Sequence, residues 1–544
     1  MHGLMQQRQL TISSVIDYAS QVYGDVEVVS RTIEGSIHRY TYRDCARRAH
    51  RFAEALDRLG VKAGDRIGGA SWNHYRYLET FYGVTGLGAI LHTINPRLFA
   101  EQLAYTINHA EDRFIIADAA CLPIFEACRD RLTHVEGYIV LSAPEHIPNT
   151  SLQNVICYDD LIADSGDDQF PWANVDEWDG SALCYTSGTT GDPKGVLYSH
   201  RSCVLSAYAF NMPNAVGVGF RDTLMPIVPF FHGNGWSVPF AAPMAGAKLV
   251  LPGRDMDMAK LHELIVGEDV TVALAVPTIW LSMLEHMRQT GTDLGQLAKI
   301  VTGGSAPPRA MIADYESDYG VTISHAWGMT ETSAATTFSH PPNGVSHDAA
   351  LDVRVTQGRP VFGSEIRVVD DAGEPVPRDR DAPGELRARG FWVASDYYNA
   401  PDKPAVDSNG WLITGDIGKI GPDGNLRLTD RAKDVIKSGG EWISSIDLEN
   451  AAAGHPDIVE AAVIAVPHER WQERPFLIAV RRQGSAVTGA EVLAWLSKRV
   501  AKWWLPEDVA FTDEIPHTGT GKIDKMALRK QFVAGKSGFA TGQT

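Results

Sequence analysis

Short apolar runs alternate with amphipathic stretches through residues 1–330 of the chain. The apolar runs are four to eight residues long and include "DRFIIAD", "GYIVLSA", "LMPIVPFF", "VTVALAV" and "LAKIVTGG". Runs that are apolar at nearly every position predict strands buried on both faces, as in parallel sheets covered by helices. Segments with helical spacing, such as "MAKLHELIVGED", lie between these runs. The pattern therefore predicts a layered α/β fold.

The pattern changes after about residue 360. Short runs such as "SEIRVVDDAGEPV" and "GELRARG" are separated by Asp-Gly and Ala-Gly turns, which are typical of β-hairpins. A small antiparallel unit is expected there. From residue 434 onward, "VEAAVIAV" and "FLIAVRR" predict strands in a compact α+β pattern. The run "EVLAWLSKRVAKWW" predicts a single helix with one apolar face, formed by Leu493, Leu496, Val500 and Trp503.

Length and charge indicate more than one folded unit. At 544 residues the chain is longer than a single hydrophobic core normally supports. The net charge of −18 lies almost wholly before residue 434, and the remainder is nearly neutral. We expect a large N-terminal domain of layered α/β subdomains plus a small β-rich unit, residues 1–432. A small mobile α+β domain, residues 433–544, is expected to follow it.

Composition excludes several classes of protein. The hydrophobic fraction of 44% and the charged fraction of 21% are ordinary for a globular enzyme. The acidic net charge argues against a nucleic-acid partner, which requires a basic face. Six scattered cysteines without a C-x-x-C pair indicate reduced thiols. There is no secretory pattern at the N-terminus, and the uncharged residues 82–95 fall short of the about 20 needed to span a bilayer. We therefore expect a cytoplasmic protein with no integral membrane segment.

The segment "YTSGTTGDPKG" is a candidate phosphate-binding loop. It follows the apolar run "ALCY" and precedes "GVLYSHRSCVLSAYAF", so strand, glycine-rich turn and helix are predicted. In that arrangement backbone N–H groups converge on phosphate oxygens. A Walker A loop would read G-x-x-x-x-G-K-[ST], which this segment does not. A plain surface turn is the alternative. The candidate ligands are Thr186, Ser187, Gly188, Thr189, Thr190 and Lys194.

Further motifs follow the loop along the chain: "FFHGNGW", "GGSAPP", "HAWGMTET", "WLITGD", "KSGGEW" and "IPHTGTGKIDK". In order and separation the set resembles the signature motifs of the adenylate-forming superfamily. That superfamily contains acyl-CoA synthetases, nonribosomal-peptide adenylation domains and beetle luciferases. The resemblance spans nearly the whole chain, and the strings are most similar to those of medium- and long-chain fatty-acyl-CoA synthetases and methylmercaptopropionate-CoA ligases.

The resemblance implies an ATP site on the N-terminal domain. Glu331 with Thr186 would hold Mg²⁺, a hard ion that prefers oxygen ligands and bridges to phosphates. Thr330 would contact phosphate, and Arg431 the ribose or phosphate. Asp416 would accept hydrogen bonds from both ribose hydroxyls, as a carboxylate suits two neighbouring donors. The residues that would line the adenine and AMP are Gly303, Gly304, Ser305, Ala306, Pro307, Ala326, Trp327, Gly328 and Met329.

The resemblance also implies an acyl pocket beside the nucleotide. His232 would lie near the substrate carboxylate, and Trp236 matches an aromatic gate to the acyl tunnel of fatty-acyl-CoA synthetases. Gly304 and Gly328 would line the same pocket. Taken alone, a single His and Trp are more often core residues, so these two assignments depend on their register with the other motifs.

The C-terminal domain would supply the remaining groups. Lys433 matches the hinge of the family, and Lys522 matches the lysine that catalyses adenylation. An ammonium between carboxylate and α-phosphate would offset the negative charge that develops there. His517 stands where many relatives carry Lys or Arg. The loop that would line the CoA channel comprises Lys437, Ser438, Gly439, Gly440, Glu441 and Trp442.

The reaction implied is carboxylic acid + ATP + CoA → acyl-CoA + AMP + pyrophosphate, with Mg²⁺. Lys522, Thr186, Glu331 and His232 would be its catalytic residues. A medium- or long-chain fatty acid is the first choice of substrate, with methylmercaptopropionate or an aryl acid such as cinnamate as alternatives. An acyl-AMP ligase that loads a carrier protein and a luciferase-like oxygenase share the same motifs. Because fatty-acyl relatives are often homodimers, a homodimer is expected.

Overall fold

The computed structural model of the protein describes residues 3–166, 168–186, 192–378, 382–431, 434–438, 441–517, 523–533 and 540–541. Some predicted site residues lie outside these ranges, namely Ser187, Gly188, Thr189, Thr190, Lys433, Gly439, Gly440 and Lys522. For Arg431, Glu441 and Trp442 the structure describes the backbone.

Helices and strands alternate along most of the chain, as the apolar pattern predicts. The helices are α1 Ile12–Val22, α2 Tyr42–Arg58, α3 Tyr75–Gly86, α4 Ala100–Ala110, α5 Leu122–Cys128, α6 Tyr158–Ala163, α7 His200–Phe210, the single turn α8 Gly233–Trp236, α9 Val238–Ala245, α10 Met258–Gly267, α11 Pro277–Thr290, α12 Arg309–Tyr319, α13 His347–Arg354, α14 Ser445–Ala453, α15 Gly489–Leu496 and α16 Lys525–Val533. The strands before residue 340 are β1 Glu27–Arg31, β2 Ile37–Thr41, β3 Arg66–Ala70, β4 Ile90–Thr93, β5 Asp112–Ala117, β6 Gly137–Val140, β7 Val155–Cys157, β8 Gly180–Tyr185, β9 Gly195–Ser199, β10 Thr223–Pro226, β11 Lys248–Leu251, β12 Val272–Ala275, β13 Lys299–Gly303, β14 Thr322–Met329 and β15 Ala334–Phe338. The later strands are β16 Arg359–Pro360, β17 Ser364–Val369, β18 Gly384–Gly390, β19 Leu412–Ile420, β20 Leu426–Arg431, β21 Ile436–Ser438, β22 Glu441–Ile443, β23 Ile458–His468, β24 Gln472–Arg481, β25 Val509–Thr512 and β26 Ala540–Thr541.

Two large sheets form the body of the N-terminal part. One has the order β7-β6-β5-β3-β4-β8-β9 and is parallel except for the pair β8–β9. The other has the order β16-β15-β14-β13-β12-β10-β11-β1-β2, and its strands β1 and β10 to β14 run parallel. Their inner strands are buried at nearly every position, as in β4, β12 and β13. The predicted parallel α/β architecture is confirmed.

Helix α3 lies in the core that joins the two sheets. All of its residues are buried. The ring of Phe81 packs edge-on against Phe230, with centroids 5.8 Å apart, and against Phe240 at 5.9 Å. The uncharged stretch around residue 82 is thus internal core. No helix within the described ranges is long and apolar enough to cross a membrane.

The predicted small antiparallel unit is present as the sheet β17-β18-β19-β20. Each neighbouring pair is antiparallel, and β19 pairs with β20 so that Asp416 stands opposite Arg431. This pairing brings two motif residues into register, because opposite residues of an antiparallel pair lie close together.

The C-terminal part forms its own sheet, β22-β21-β24-β25-β26, with β23 paired to β24. Hydrogen bonds between described residues connect it to β20: Ser444 Oγ donates to the Thr429 carbonyl (2.5 Å), and the Ser445 N–H donates to Asp430 (2.9 Å). Farther away, Arg482 pairs with Glu285 of α11 at 3.3 Å. These contacts set how the two parts meet in this structure.

The prediction of one helix through "EVLAWLSKRVAKWW" is wrong in its extent. Helix α15 begins at a capping box formed by Thr488 and Glu491 and ends at Leu496. The hydroxyl of the next residue, Ser497, donates to the Ala494 carbonyl at 2.8 Å, a local bond that competes with helix continuation. Trp503 then falls in a separate short turn and is 45% exposed, so it does not share the apolar face.

Candidate active site

The candidate phosphate loop connects two antiparallel strands. Its predicted strand–turn–helix context is wrong, because "GVLYS" forms strand β9 against β8 and α7 begins only at His200. The segment alternates with period two: Val196 and Tyr198 are buried and Leu197 faces outward, which is a strand pattern. The N-terminus of α7 is therefore removed from the loop, and phosphate would be held by loop groups.

Two hydrogen bonds between predicted site residues join the two ends of this loop. The Thr186 N–H donates to the Lys194 carbonyl at 2.9 Å, and the Lys194 N–H donates to Thr186 Oγ1 at 3.2 Å. Residues 187–191 span the interval between them, outside the described ranges. The described ends therefore hold Thr186 and Lys194 in fixed register.

Glu331 lies close to the end of this loop, in the short turn Thr330–Thr332 that follows β14. Its carboxylate is buried and accepts a hydrogen bond of 2.7 Å from the Tyr397 hydroxyl. The ammonium of Lys194 lies 4.4 Å from the centroid of the Tyr397 ring, a cation–π contact. Burial, followed by the nearby Glu331 charge, raises the pKa of Tyr397, so the hydroxyl remains protonated and donates. One tyrosine thus joins the predicted metal ligand to the predicted phosphate lysine.

The predicted ribose residue Asp416 is fixed by the strand that carries the adenine motif. Trp327 Nε1 donates to Asp416 Oδ2 at 2.8 Å, although the two residues are 89 positions apart. Both side chains are buried. Opposite Asp416 on β20 is the backbone of Arg431. A buried, oriented carboxylate between these strands has the chemistry to bind two vicinal hydroxyls.

The turn "GGSAPP" follows β13 at the same end of the sheet. Gly303 pairs with Ala326 of the neighbouring parallel strand, and a Cβ on Gly303 would come within 2.8 Å of the Ala326 carbonyl oxygen. Gly304 has φ +86°, which favours glycine, and is exposed together with Ser305. The glycines thus leave an open backbone edge on which a flat ring could lie, and Ala306 and Pro307 continue the turn towards α12.

Contacts with β9 and β15 fix the end of β14, which carries the rest of the adenine motif. The Tyr198 hydroxyl of β9 donates to the Thr330 carbonyl at 2.6 Å. Gly328 pairs with β15 at a bulge, and Met329 begins the turn that presents Glu331. Below the strand, burial lowers the pKa of His325 to about 4, so this imidazole is neutral. These contacts fix the strand end on which the predicted nucleotide residues lie.

The predicted acyl-pocket motif forms a left-handed turn. From Gly233 to Ser237 every residue has a positive φ, including the non-glycine residues Asn234 (45°) and Trp236 (54°). Such residues are strained by roughly 1–2 kcal/mol each. The turn aims the Trp236 ring at Gly303, whose added Cβ would lie 3.3 Å from Cη2 of the indole. His232 precedes the turn and is half-buried. Trp236 therefore borders the predicted adenine turn, as an acyl-pocket gate would require.

The described residues of the predicted CoA loop lie in β21 and β22, at the end of the C-terminal sheet. Arg474 donates to Ser438 Oγ at 3.2 Å, and the Lys437 N–H donates to Glu473 at 2.8 Å. The side chain of Lys437 is exposed. The structure thus brings Thr186, Lys194, Glu331, Trp327 and Asp416 to one region of the N-terminal part, while Lys437 and Ser438 belong to the other part.

No motif of the sequence points to Tyr397. It lies in the irregular segment "ASDYYNA", which carries neither glycine-rich spacing nor a charged motif. The two adjacent tyrosines in a polar loop were the available signal, since aromatic side chains in loops are commonly buried for a specific contact. Its link to Glu331 spans 66 positions and depends on tertiary packing.

The described ranges contain no group of three or more His, Cys, Asp and Glu side chains suited to hold a metal. Of the two predicted metal ligands, Thr186 and Glu331, Glu331 is the one that carries a charge. One carboxylate with the remaining ligands from phosphate oxygens and water is a common arrangement for Mg²⁺.

His517 lies directly before the segment 518–522 and predicts pH-dependent stability. Its Nε2 lies 2.7 Å from Glu460 Oε1, and this hydrogen bond raises the pKa of His517. A histidine pKa that is raised in the folded state stabilises fully below the unfolded value of about 6.5, and the contribution is lost as pH rises through the folded value. We expect Glu460→Gln to lower the melting temperature more at about pH 6 than at about pH 8.5. Calorimetry with the surface variant Glu469→Gln as control would check this, and an equal loss at both pH values would contradict it.

Comparison with known proteins identifies the family. Residues 16–398 match the model described as AMP-binding enzyme, and residues 447–522 match the AMP-binding enzyme C-terminal domain. Both models describe enzymes that bind AMP, and together they cover most of the chain. The chain belongs to the family of AMP-binding enzymes.

Relatives align along the whole chain. It is 44% identical over 536 residues to the medium-chain-fatty-acid–CoA ligase of Ectopseudomonas oleovorans, covering 98% of both chains. Identity to the 3-methylmercaptopropionyl-CoA ligase of Ruegeria lacuscaerulensis is 44% over 98% of this chain and 99% of the relative. Identity to the long-chain-fatty-acid–CoA ligase of Thermus thermophilus is 40%, over 97% and 96%. Among solved structures, the anthranilate CoA ligase AuaEII in complex with anthranoyl-AMP superimposes with a TM-score of 0.87 at 25% identity, over 96% of this chain and 98% of that one.

Proposed function

We propose that this protein activates a medium- or long-chain fatty acid with ATP and transfers the acyl group to CoA. The chain is an ATP-dependent, AMP-forming acyl-CoA ligase. The choice of a fatty acid is supported by end-to-end identity to two fatty-acid–CoA ligases, 44% to the medium-chain and 40% to the long-chain relative. Identity to the 3-methylmercaptopropionyl-CoA ligase is also 44%, so that acid is the first alternative. The geometry supports the nucleotide half of the reaction, since Lys194, Glu331 and Asp416 lie in one region.

In the first step of the proposed reaction the carboxylate of the acid attacks the α-phosphorus of ATP. A C(O)–O–P bond forms, the bond from the α-phosphorus to the bridging oxygen breaks, and pyrophosphate leaves with that oxygen. Lys194 and the loop would hold the β- and γ-phosphates, and Asp416 would orient the ribose. Lys522 would place its ammonium between the acid and the α-phosphate, where negative charge accumulates.

In the second step the thiol of CoA displaces AMP. The attacking species is the thiolate, and the proton of the thiol is lost to solvent or a base. A carbon–sulfur bond forms at the acyl carbonyl, the acyl C–O bond breaks, and AMP leaves. Capping the carboxylate with AMP is needed because a free carboxylate repels nucleophiles and lacks a leaving group.

The residues present fit a magnesium ion. The buried Glu331 carboxylate and the Thr186 hydroxyl would supply oxygen ligands beside the loop that would hold phosphate. When bound, the ion neutralises phosphate charge and favours departure of pyrophosphate. The protein's own part is to keep Glu331 oriented and within reach of the phosphates.

The acyl pocket is proposed to open beside Trp236. His232 would face the substrate carboxylate, and the indole of Trp236 would separate the acyl chain from the adenine turn. Because the left-handed turn carries strain, its change of conformation requires less energy than that of a relaxed turn. A short thioether acid and an aryl acid remain the alternative substrates.

The proposal includes two moving units, residues 1–432 and 433–544, with Lys433 as the hinge. Lys522 and the loop Lys437–Trp442 would take turns at the acyl-phosphate, because both cannot occupy the same place. A homodimer is also proposed from the resemblance to fatty-acyl relatives, and light scattering on the purified protein would test it.

The function is tested by measuring AMP release from ATP over a panel of acids, with and without CoA. We expect fatty acids of medium or long chain to give the highest kcat/KM, and CoA to stimulate turnover strongly. Preferred use of 3-methylmercaptopropionate or cinnamate would replace the proposed acid. An acyl-adenylate that accumulates regardless of CoA would contradict the ligase and favour transfer to a carrier protein.

A further inference from the structure

Residues 392–399, here called the bridging segment, connect the Glu331 turn to the end of the phosphate loop. At one side, Ser333 Oγ donates to the Trp392 carbonyl at 2.9 Å, and the Ala394 N–H donates to the Glu331 carbonyl at 2.7 Å. At the other side, the Tyr398 N–H donates to the carbonyl of Gly195 at 2.8 Å, directly after Lys194. The backbone of the segment is therefore attached to both halves of the proposed phosphate site.

Tyr397 is the side chain of this segment that contacts both charged groups. Its hydroxyl donates to Glu331 Oε1 at 2.7 Å, and its ring face receives the Lys194 ammonium at 4.4 Å. Only 8% of Tyr397 is exposed, so its hydroxyl and ring are largely shielded from water, while Lys194 is half-buried. Contacts of this kind are stronger in a shielded site than at the surface.

We propose that Tyr397 is a positioning residue that presets Glu331 and Lys194 for the metal-bound phosphates of ATP. The inference rests on the proposed function, because it takes ATP as the ligand of this site. Through its hydroxyl, Tyr397 holds the Glu331 carboxylate in one orientation. Through its ring, it holds the flexible Lys194 side chain without neutralising its charge.

The second contact explains why an aromatic ring is required beside the lysine. A carboxylate there would pair with the ammonium and compete with phosphate, whereas a ring attracts the cation more weakly and yields it to a dianion. Both side chains are thus already ordered in the folded protein, so ordering them does not weaken the binding of ATP. Immobilising a long side chain on binding weakens the binding, so presetting it strengthens binding by up to about tenfold.

The experiment measures the affinity of the full-length protein for ATP by calorimetry, once with MgCl₂ and once with EDTA. Tyr397→Phe keeps the ring and removes the hydroxyl. We expect its affinity for metal-free ATP to be unchanged, while the strengthening by Mg²⁺ falls by about tenfold, because Glu331 must now be ordered during binding. Tyr397→Leu removes both contacts, and we expect metal-free ATP to bind about fivefold more weakly as well.

The matched control is Tyr398→Phe, which removes a hydroxyl from the neighbouring residue of the same segment and should leave both affinities unchanged. Melting temperatures show whether each variant is folded, and Tyr397→Phe alone decides the question if Tyr397→Leu does not fold. An unchanged Mg²⁺ effect in Tyr397→Phe, or an equal weakening with and without Mg²⁺, overturns the inference. Wild type that binds MgATP but releases no AMP with any acid would refute the proposed function, and the affinity ratios would still judge the role of Tyr397.

Discussion

Lys522→Ala is expected to reduce acyl-adenylate formation by at least about a hundredfold, since removal of one donor to a developing oxyanion has an effect of that size. Lys522 follows His517 in the motif "IPHTGTGKIDK", and the other lysine of that motif, Lys525, pairs with Glu449 at 2.8 Å. The ammonium stabilises charge that spreads over the α-phosphoryl oxygens as the carboxylate approaches. Exchange of labelled pyrophosphate into ATP, which depends on the first step alone, measures the loss.

The same variant should convert preformed acyl-adenylate and CoA to acyl-CoA at nearly the wild-type rate. In the second step the proposed domain rotation removes Lys522 from the site, so the substitution should not slow this step. The control is Lys530→Ala, an exposed lysine of α16 that should leave both steps unaffected. Equal loss of both steps would refute the division of work between the two arrangements of the domain.

Asp416→Asn is expected to lower kcat/KM for ATP by about a hundredfold, because two charge-assisted hydrogen bonds to the ribose are weakened, each worth roughly 1.5 kcal/mol. The substitution keeps an oxygen that accepts from Trp327 Nε1, so the buried contact at 2.8 Å need not be lost. The wild type should discriminate against 2′-deoxy-ATP by about tenfold, and the variant should not. Steady-state kinetics with both nucleotides measures the four values.

The kcat/KM values of the wild type and Asp416→Asn with ATP and with 2′-deoxy-ATP form a double-mutant cycle. The substitution and the absence of the 2′-hydroxyl from the nucleotide affect the same hydrogen bond. Their effects should therefore be much less than additive. Asp423→Asn, in the exposed turn of the same hairpin, is the control and should retain full discrimination. If Asp416→Asn still rejects 2′-deoxy-ATP as strongly as the wild type, Asp416 does not bind that hydroxyl.

Much of the fold is predictable because its determinants are local. Inner strands such as β12 and β13 are buried at nearly every position, and their unbroken apolar runs predict burial on both faces. The sheet β17-β18-β19-β20 follows from its turn residues. The two errors arose where local signals were weak: five alternating residues after Lys194 form a strand, and a serine ends α15 early.

The candidate site was predictable as a set of motifs, without the contacts between them. The resemblance of the motifs placed Glu331, Asp416 and Lys194 near a nucleotide. Nothing in their spacing indicates that Trp327 donates to Asp416, or that Tyr397 bridges Glu331 and Lys194. Such pairs depend on which strands become neighbours and on how an irregular segment crosses them.

By itself, then, the sequence determined the layered α/β class, the family and the candidate groups of the ATP site. It could do so because periodicity and motifs are patterns of residues that are close together in the sequence. Only the tertiary structure decided which of those groups touch. The order of strands in the sheets and the course of residues 392–399 bring together side chains 66 to 89 positions apart, and no local pattern encodes distances of that kind.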